Sequence, residues 1–288
     1  EHIAKVIDAT CIDSKSIASK QFKVVVDAVN GAGSTILPKL CEDLGCHVTT
    51  INCNGDGNFT RVAEPLAENL NNLEEKVLEV GADIGFATDP DGDRLSIVSN
   101  KGYAIGEEYT LALSFKNFIN YQDSMIVTNL STSRMIDDIS SGSIRTKIGE
   151  AHVVEKMKEL NILIGGEGNG GVILKEVHLG RDSLVATAMI LNLLSRDNKS
   201  LHEIIAEIPS YIFIKDKINI DNSIDFDSLA TLFDCDEINT EDGIKFSWSD
   251  KWIHIRKSNT EPIIRIFAEA KTENEVNDLI QTLKDFLK

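Results

Sequence analysis

The chain has 288 residues, which at about 100–200 residues per domain predicts two or three domains. Apolar residues make up 42% of the sequence and charged residues 26%, the balance of a globular fold rather than of a disordered or fibrous chain. The net charge of −17 argues against nucleic acid and anionic membranes as main partners, because the surface as a whole repels phosphate groups. A small phosphorylated ligand in a local basic pocket is compatible with this charge.

The cysteines and the apolar runs indicate the compartment. Five cysteines show no metal-ligand spacing and, being odd in number, cannot all pair within the chain, so reduced thiols are expected. No charged-then-apolar leader opens the sequence, and its longest apolar stretch, "SLVATAMILNLLS", is too short and too interrupted to span a bilayer. The sequence therefore predicts a soluble, cytoplasmic protein.

The first two thirds of the chain alternate between strand and helix patterns. The β-branched run "FKVVVDAV" ends in the glycine turn "NGAGS" and leads into "TILPKLCEDLG", whose apolar spacing is helical. Further strands are predicted, in chain order, at "HVTTIN", "ADIGFAT", "LSIVS", "SMIVTNLS", "SIRTKIG" and "ILIGGEG". Helices are predicted at "NLEEKVLEVG", "EEYTLALSFKNFI", from about Ser133, "HVVEKMKELN" and "RDSLVATAMILNLLS". Strands separated by helices of this length predict parallel α/β sheets.

The pattern changes around "SRDNKSLHEIIAEIPS", after which it reads strand, helix, paired strands, helix. "IKFSWSD" and "KWIHIRKS" predict a hairpin, and Thr272 with Glu275 forms a capping-box pattern at the start of the last helix. The predicted fold class is α/β: two consecutive mixed or parallel α/β sandwich domains, residues 1–120 and 121–205, followed by a small α+β domain, residues 206–288. The two α/β units share a pattern but no residue-level repeat.

The loop "TDPDGDR" places Asp89, Asp91 and Asp93 two residues apart, directly before Arg94. In extended chain these acids face one side, and Gly92 lets the backbone curl so that the three carboxylates converge. Oxygen-only ligands suit a hard cation, and Mg²⁺ typically keeps positions open for water or a phosphate oxygen. A solvated acidic turn is the alternative. An EF-hand is excluded, because the glycine comes two places early and no glutamate stands at the twelfth position.

Two later loops have the composition of ligand-binding segments. "GGEGNGGVI" sets five glycines around Glu167 and Asn169, a carboxylate and an amide suited to sugar hydroxyls, although a plain flexible turn explains it equally well. "RKSNTEPIIRIF" offers a guanidinium, two hydroxyls and an amide within five residues, followed by a second arginine on the next strand. Such a donor cluster can hold a phosphate; a surface turn ended by Pro262 is the alternative. Its donors are Arg256, Ser258, Asn259, Thr260 and Arg265.

Taken in this order, the three loops resemble the α-D-phosphohexomutase superfamily, which contains phosphoglucomutases, phosphomannomutases and phosphoglucosamine mutases. "VVVDAVNGAG", "GNFTRVAEPLAENL", "TDPDGDR", "GEGNGG" and "SNTEP" all match family stretches in sequence order, and "DPDGDR" together with "SNTEP" is highly specific. The resemblance extends over nearly the whole chain. It implies an enzyme that moves a phosphoryl group between positions 1 and 6 of a hexose phosphate through a hexose bisphosphate.

The resemblance also implies a role for each loop. Asp89, Asp91 and Asp93 are implied as Mg²⁺ ligands, and Arg94 as a contact of the reacting phosphate. Glu167 and Asn169 stand where the family holds sugar hydroxyls. The third loop, with Arg256, Ser258, Asn259 and Thr260, is implied as the site of the distal phosphate.

The resemblance further implies that this chain corresponds to the second to fourth of four family domains. In the family, a serine in a "T-x-S-H-N-P"-like loop of the first domain carries the phosphoryl group, and no Ser-His-Asn occurs in these 288 residues. The serines of "LSTSRM" lack the histidine and the proline of that loop. The expectation is a mutase fragment that is inactive by itself, because a covalent mechanism requires its nucleophile.

Departures from the family pattern bear on the substrate. The segment 165–173 is called the sugar loop below. Many members read Glu-x-Ser-Gly-His there, whereas here Asn169 stands at the serine position and Gly171 at the histidine position. This variant resembles bacterial and archaeal members assigned as phosphoglucosamine or phosphomannose mutases, so the resemblance favours glucosamine phosphate, with mannose and glucose phosphates as alternatives. His178, Arg181 and Asp182 follow this loop and are candidates for ligand contact, and a helix start is an equally good explanation of Asp182.

Two other classes compete with a mutase. A haloacid-dehalogenase-type phosphatase also uses an Asp-x-Asp pair, but its first aspartate ends the first strand and a Thr or Val stands four places on, where this chain has Asp93. A non-catalytic phosphosugar-binding module is the more serious alternative, because the chain carries no recognised nucleophile.

Overall fold

A computed structural model of the chain describes residues 1–120, 125–140, 142–219, 226–258 and 262–287. The described residues form three sheets. Two are four-stranded and mixed, and the third is a five-stranded antiparallel sheet near the C-terminus. This arrangement confirms the predicted α/β class with a final α+β unit.

The first sheet has the order β2-β1-β3-β4. β1 pairs in parallel with β2 and β3, and β4 is antiparallel to β3. The elements of this part of the chain are α1 (His2–Ile7), α2 (Ser14–Lys20), β1 (Lys23–Asp27), α3 (Gly33–Asp43), β2 (His47–Ile51), a 3₁₀ turn (Ala67–Asn69), α4 (Asn71–Val80), β3 (Ile84–Thr88) and β4 (Leu95–Ser99).

The second sheet repeats this topology, with the order β6-β5-β7-β8 and only β8 antiparallel. Its elements are α5 (Glu108–Phe118), β5 (Ile126–Asn129), α6 (Met135–Ile139), β6 (Ser143–Thr146), α7 (Glu150–Leu160), β7 (Ile164–Glu167), β8 (Gly171–Leu174), α8 (Ser183–Asp197) and α9 (Leu201–Ile205). The two loops predicted to bind metal and sugar therefore occupy equivalent places, each between the third and fourth strands in chain order of its sheet.

The third sheet has the order β10-β11-β12-β13-β9, with every pair antiparallel. Its elements are β9 (Ile212–Asn219), α10 (Phe226–Leu229), β10 (Glu237–Asn239), β11 (Ile244–Ser247), β12 (Trp252–Lys257), β13 (Ile263–Ala270) and α11 (Glu273–Phe286). The predicted hairpin is β11–β12, and the capping box at Thr272 and Glu275 is present.

The sequence patterns missed some elements. α1 and α2 precede the first predicted strand, and β8 has only four residues and continues directly from the glycine loop. A run this short offers too little periodicity to be separated from a loop. The domain limits at residues 120/121 and 205/206 stay predictions.

One hydrophobic core joins the first two sheets. It contains Phe86 and Ile97 from the first sheet, Ile164 and Val172 from the second, and the buried face of α5, including Phe115. α8 packs against α1, α2, α3 and α5 and is buried along nearly its whole length, because it lies between the two units. The C-terminal unit has a separate core between α11 and one face of its sheet.

The cysteines and the helices bear on two expectations from the sequence. All five cysteines are free thiols, and Cys11, Cys41 and Cys46 are buried. Within the described ranges, no helix combines the length and the apolarity that crossing a membrane would require.

Candidate functional site

The acidic loop folds back on its first aspartate. Asp89 follows β3 and is 6% exposed, and its Oδ1 accepts hydrogen bonds from the backbone N–H groups of Asp93 and Arg94, at 3.1 Å each. Gly92, at φ 75°, provides the left-handed turn that this return requires. The loop thus gathers the three carboxylates at the end of a buried strand.

The acid triplet fits a hard divalent cation. Carboxylate oxygens of Asp89, Asp91 and Asp93 all lie within 4.8 Å of one another. Burial, together with the neighbouring Asp93 carboxyl, raises the pKa of Asp89 to about 7. Oδ1 of Asp93 is buried and, among the described residues, has no hydrogen-bond partner. An oxygen-ligated ion such as Mg²⁺ would satisfy this atom and offset the shared charge.

Arg94 connects the acid triplet to a second loop of the first unit. Its Nη1 donates to Oε1 of Glu64 at 2.8 Å, and its Nε lies 3.6 Å from Oδ2 of Asp89 and 3.7 Å from Oδ1 of Asp93. Sequence reasoning did not identify Glu64. The only signal for it is its place in "GNFTRVAEPLAENL", a stretch that resembles the family but has no chemical pattern of its own.

Glu167 lies at the end of β7, is 3% exposed, and both of its carboxylate oxygens accept hydrogen bonds. Its Oε1 accepts from Nδ2 of Asn129 at 2.8 Å and from the backbone N–H of Gly149 at 3.0 Å, and its Oε2 accepts from Arg181 at 2.8 Å. Asn169 lies two residues further on, and its Oδ1 accepts from the backbone N–H of Gly171 at 3.2 Å. The carboxylate is therefore held in one orientation, while Asn169 lines a cavity.

Arg181 joins the acidic loop to the sugar loop. One Nη donates to Glu167 and the other forms a close ion pair with Asp93, while Nε lies 3.4 Å from Oε2 of Glu150. A Cβ at Gly171 would meet Cδ of Arg181 at 2.2 Å, so a side chain at position 171 and the observed Arg181 exclude each other. Gly171, which stands where many family members have a histidine, thus leaves the space that Arg181 occupies.

The glycines of the sugar loop are explained by contacts within the protein. Gly170 has φ 90°, and a Cβ there would approach the Leu95 carbonyl oxygen to 2.4 Å. The backbone N–H of Leu95 donates to the Gly170 carbonyl at 3.0 Å. Because Leu95 directly follows the acidic loop, this hydrogen bond holds the two loops side by side. Close packing, rather than flexibility, accounts for this glycine.

Asp182 starts a helix, as one of the two readings from the sequence proposed. Its Oδ1 accepts from the backbone N–H groups of Leu184 and Val185, which caps α8. Its Oδ2 contacts His178 at 3.0 Å and His2 at 2.7 Å.

The third predicted loop follows β12, in a sheet that carries a row of three basic side chains, called the basic row below. Arg256 on β12 is opposite Arg265 on β13, which is opposite Lys217 on β9, so the three cations lie side by side on one face. Nε of Arg256 donates to Oδ1 of Asp242 at 3.3 Å. Ser258 begins the loop, and its N–H donates to the Ile263 carbonyl. Asn259 and Thr260, also predicted to bind phosphate, lie outside the described residues.

A cavity of about 730 Å³ brings these parts together. All three units contribute to its wall: Arg94 and Glu64 from the first, Glu167 and Asn169 from the second, and the basic row from the third. The three aspartates are not among the lining residues, but Arg94 and Arg181, which form ion pairs with two of them, are. Further lining residues that the sequence did not point to are Glu108, Asn129, Ser131 and Lys215, and Lys217 of the basic row was not predicted either.

Comparison with known proteins identifies the family. Models of the phosphoglucomutase/phosphomannomutase family match in sequence order: its alpha/beta/alpha domain II at residues 1–102, its alpha/beta/alpha domain III at residues 100–211 and its C-terminal domain at residues 217–285. The chain therefore belongs to the phosphoglucomutase/phosphomannomutase family, as the three loops predicted.

Among individual proteins, a "Phosphoglucomutase/phosphomannomutase" of Thermococcus kodakarensis is 38% identical over 94% of this chain and 61% of its own length. A "Probable phosphoglucosamine mutase" of Methanopyrus kandleri is 30% identical over the whole chain and 65% of its own length. A crystal structure of a phosphoglucomutase/phosphomannomutase family protein from Burkholderia thailandensis superimposes with a TM-score of 0.82 at 26% identity, over 96% of this chain and 63% of that one. The chain spans less than two thirds of each of these proteins.

Proposed function

We propose that these residues are part of a phosphohexomutase that moves a phosphoryl group between positions 1 and 6 of a hexose phosphate through a hexose bisphosphate. The observation that carries the proposal is the shared cavity, whose wall combines Arg94 beside the acid triplet, the Glu167–Asn169 loop and the basic row. The relatives named as mutases support the same class of reaction.

In this proposal the chain's own residues bind the sugar, orient it and neutralise the charge of its phosphates. Arg94 contacts the phosphate that reacts, Asn169 with Glu167 holds sugar hydroxyls, and the loop from Arg256 to Thr260 with Arg265 holds the distal phosphate. Asp89, Asp91 and Asp93 would hold Mg²⁺, which when bound supplies positive charge next to the transferring phosphoryl group. Either end of the sugar can then react, because the basic row recognises whichever phosphate is distal.

The transferable phosphoryl group is proposed to come from a serine outside these 288 residues. Ser131 lines the cavity and bonds Nδ1 of His254 at 2.7 Å, which superficially resembles an activated nucleophile. Burial lowers the pKa of His254 to about 4, so this imidazole is a weak base for the task. The proposal thus expects no hexose phosphate turnover by these 288 residues.

That expectation is tested by mixing the purified 288-residue chain with glucosamine 6-phosphate, Mg²⁺ and a bisphosphate primer and following the 1-phosphate. No interconversion above background is expected. Turnover that disappears in Ser131→Ala would instead assign the nucleophile to Ser131.

Glucosamine phosphate is proposed as the preferred substrate, ahead of mannose and glucose phosphates. The Asn169 and Gly171 variant of the sugar loop supports this order, as does the relative named a phosphoglucosamine mutase. Comparing the affinities of the three 6-phosphates by calorimetry tests it, and equal affinities would remove the preference.

Asp91→Asn is expected to weaken Mg²⁺ binding clearly, because it removes one of three negative ligands. Asp91 is exposed and its side chain is free of the hydrogen bonds that shape the loop at Asp89, so the variant should keep the fold. Calorimetric titration with Mg²⁺ measures the effect, and Asp56→Asn, an exposed acid outside the triplet, is the control. Equal Mg²⁺ affinity in parent and Asp91→Asn would contradict the assignment.

Arg256→Ala is expected to weaken binding of a hexose 6-phosphate by about ten- to a hundredfold, because it removes a charge-assisted contact worth roughly 1.5–3 kcal/mol. Arg196→Ala, which removes an arginine outside the cavity wall, should leave the affinity unchanged. If the two variants bind alike, the basic row does not hold the phosphate.

The alternative function is a non-catalytic phosphosugar-binding module. It shares the cavity and the basic row, so both functions predict phosphosugar binding. A transferable phosphoserine in the full-length protein, found by mass spectrometry and lost on incubation with substrate, would decide for the mutase.

A further inference from the structure

Two histidines and an aspartate meet outside the cavity described above. Nε2 of His2 lies 2.7 Å from Oδ2 of Asp182, and Nε2 of His178 lies 3.0 Å from the same oxygen. The three ligand atoms all lie within 4.8 Å of one another. None of these residues lines the cavity, and the proposed mutase reaction assigns no task to the cluster.

Asp182 is held in a fixed orientation. It is 3% exposed, and its Oδ1 accepts from the backbone N–H groups of Leu184 at 2.8 Å and Val185 at 3.3 Å. These two bonds leave Oδ2 directed toward the imidazoles. A carboxylate oriented by such outer hydrogen bonds is the arrangement that supports metal ligands in proteins.

The two imidazoles are accessible from solvent. The side chains of His2 and His178 are 36% and 42% exposed. Without a cation, both rings must donate an Nε2 proton to one carboxylate oxygen. A single cation can take the place of the two protons at Nε2, each neutral ring then carrying its N–H on Nδ1, and can bond both Nε2 lone pairs and Oδ2.

We propose that His2, His178 and Asp182 form a binding site for a divalent transition metal, with Zn²⁺ as the ion that fits best. Two imidazole nitrogens and one carboxylate oxygen are typical zinc ligands, and a water can complete the tetrahedron. The oxygen-only acid triplet has the opposite preference, for a hard ion.

The site would connect two parts of the molecule. His2 begins α1, whereas His178 and Asp182 flank Arg181 just before α8. Ser183, next in sequence, donates from its N–H and its hydroxyl to the Gly92 carbonyl in the acidic loop. A bound metal would therefore link the segment that carries Arg181 to α1.

Zinc titration against a chromophoric chelator tests the proposal. The tag-free chain, with the partly exposed Cys53 and Cys235 changed to serine, is stripped of metal and titrated with Zn²⁺ in excess Mg²⁺, which occupies the acid triplet. One Zn²⁺ per chain is expected. His2→Ala and His178→Ala should each weaken binding by about tenfold or more, as loss of a ligand should cost at least as much as loss of its outer support.

His47→Ala, which removes an exposed histidine of the first sheet, is the matched control and should bind zinc like the parent. Co²⁺ provides a second readout, because the intense visible absorption of four-coordinate Co²⁺ should appear in the parent and the His47 variant only. Circular dichroism checks that the variants fold. The proposal is overturned if the parent binds no stoichiometric Zn²⁺, or if both ligand variants bind it as tightly as His47→Ala.

Discussion

Arg181→Ala is expected to lower the free energy of unfolding by about 3–5 kcal/mol, the usual cost of removing one partner from a buried ion pair. The side chain of Arg181 is 14% exposed and that of its partner Glu167 only 4%. Without the guanidinium, Glu167 keeps its bonds from Asn129 and Gly149, but Oε2 becomes a buried, unpaired charge. Asp93 loses a cation at the same time, so the acidic loop should also become less stable.

Urea unfolding followed by circular dichroism measures this loss. Lys156→Ala is the control, because its ion pair with Glu159 is exposed to solvent and contributes little to stability. The double variant Arg181→Ala/Glu167→Gln should recover at least about 1 kcal/mol, since glutamine keeps an acceptor and removes the unpaired charge. A loss no larger than in Lys156→Ala would show that Arg181 does not hold the two loops together.

The C-terminal unit is expected to lose about 3 kcal/mol of stability between pH 7 and pH 4 through His254 alone. His254 is fully buried; its Nε2 donates to the Asp242 carbonyl and its Nδ1 accepts from Ser131, with Lys245 and Arg256 nearby. Burial lowers its pKa from 6.5 to about 4. Between these values the unfolded chain binds the proton and the folded chain does not, so stability falls on acidification and is fully present above pH 6.5.

Tryptophan fluorescence reports this transition, because the only two tryptophans, Trp248 and Trp252, belong to the C-terminal unit. Denaturation at several pH values should show the parent losing more stability on acidification than His254→Gln, whose amide can keep both hydrogen bonds without titrating. His47→Gln, which changes an exposed histidine, should follow the parent. If the parent and His254→Gln lost the same unfolding free energy between pH 7 and pH 4, His254 would not be a buried neutral imidazole.

Short-range sequence patterns accounted for the parts of the site that are local in the chain. The acid triplet depends on alternation and one glycine turn, and both lie within six residues. The β-branched runs, the hairpin at β11–β12 and the capping box at Thr272 are equally local. Each could be predicted because the residues that determine it are neighbours in sequence.

Long-range contacts could not be predicted in the same way. Arg181 lies 88 residues from Asp93, and the pairing of His2 with Asp182 spans 180 residues. Lys217 joins Arg265 only through strand register, which alternation alone does not determine. The glycines around Glu167 indicated a close backbone approach, but the sequence could not show that the approaching groups are Leu95, Glu108 and Arg181 rather than a ligand.

The two faces of the third sheet differ in a way that bears on motion. One face packs its isoleucines against α11, whereas the other sets Lys245, His254 and Glu269 against the second unit through hydrogen bonds, including Lys245 Nζ to the Leu130 carbonyl and Glu269 to the Arg134 N–H. Water can replace polar contacts of this kind far more readily than it can cover an apolar core. We therefore expect the first two units, which share one core, to keep the distance between the acid triplet and Glu167 fixed, and the C-terminal unit, which carries the basic row, to move relative to them.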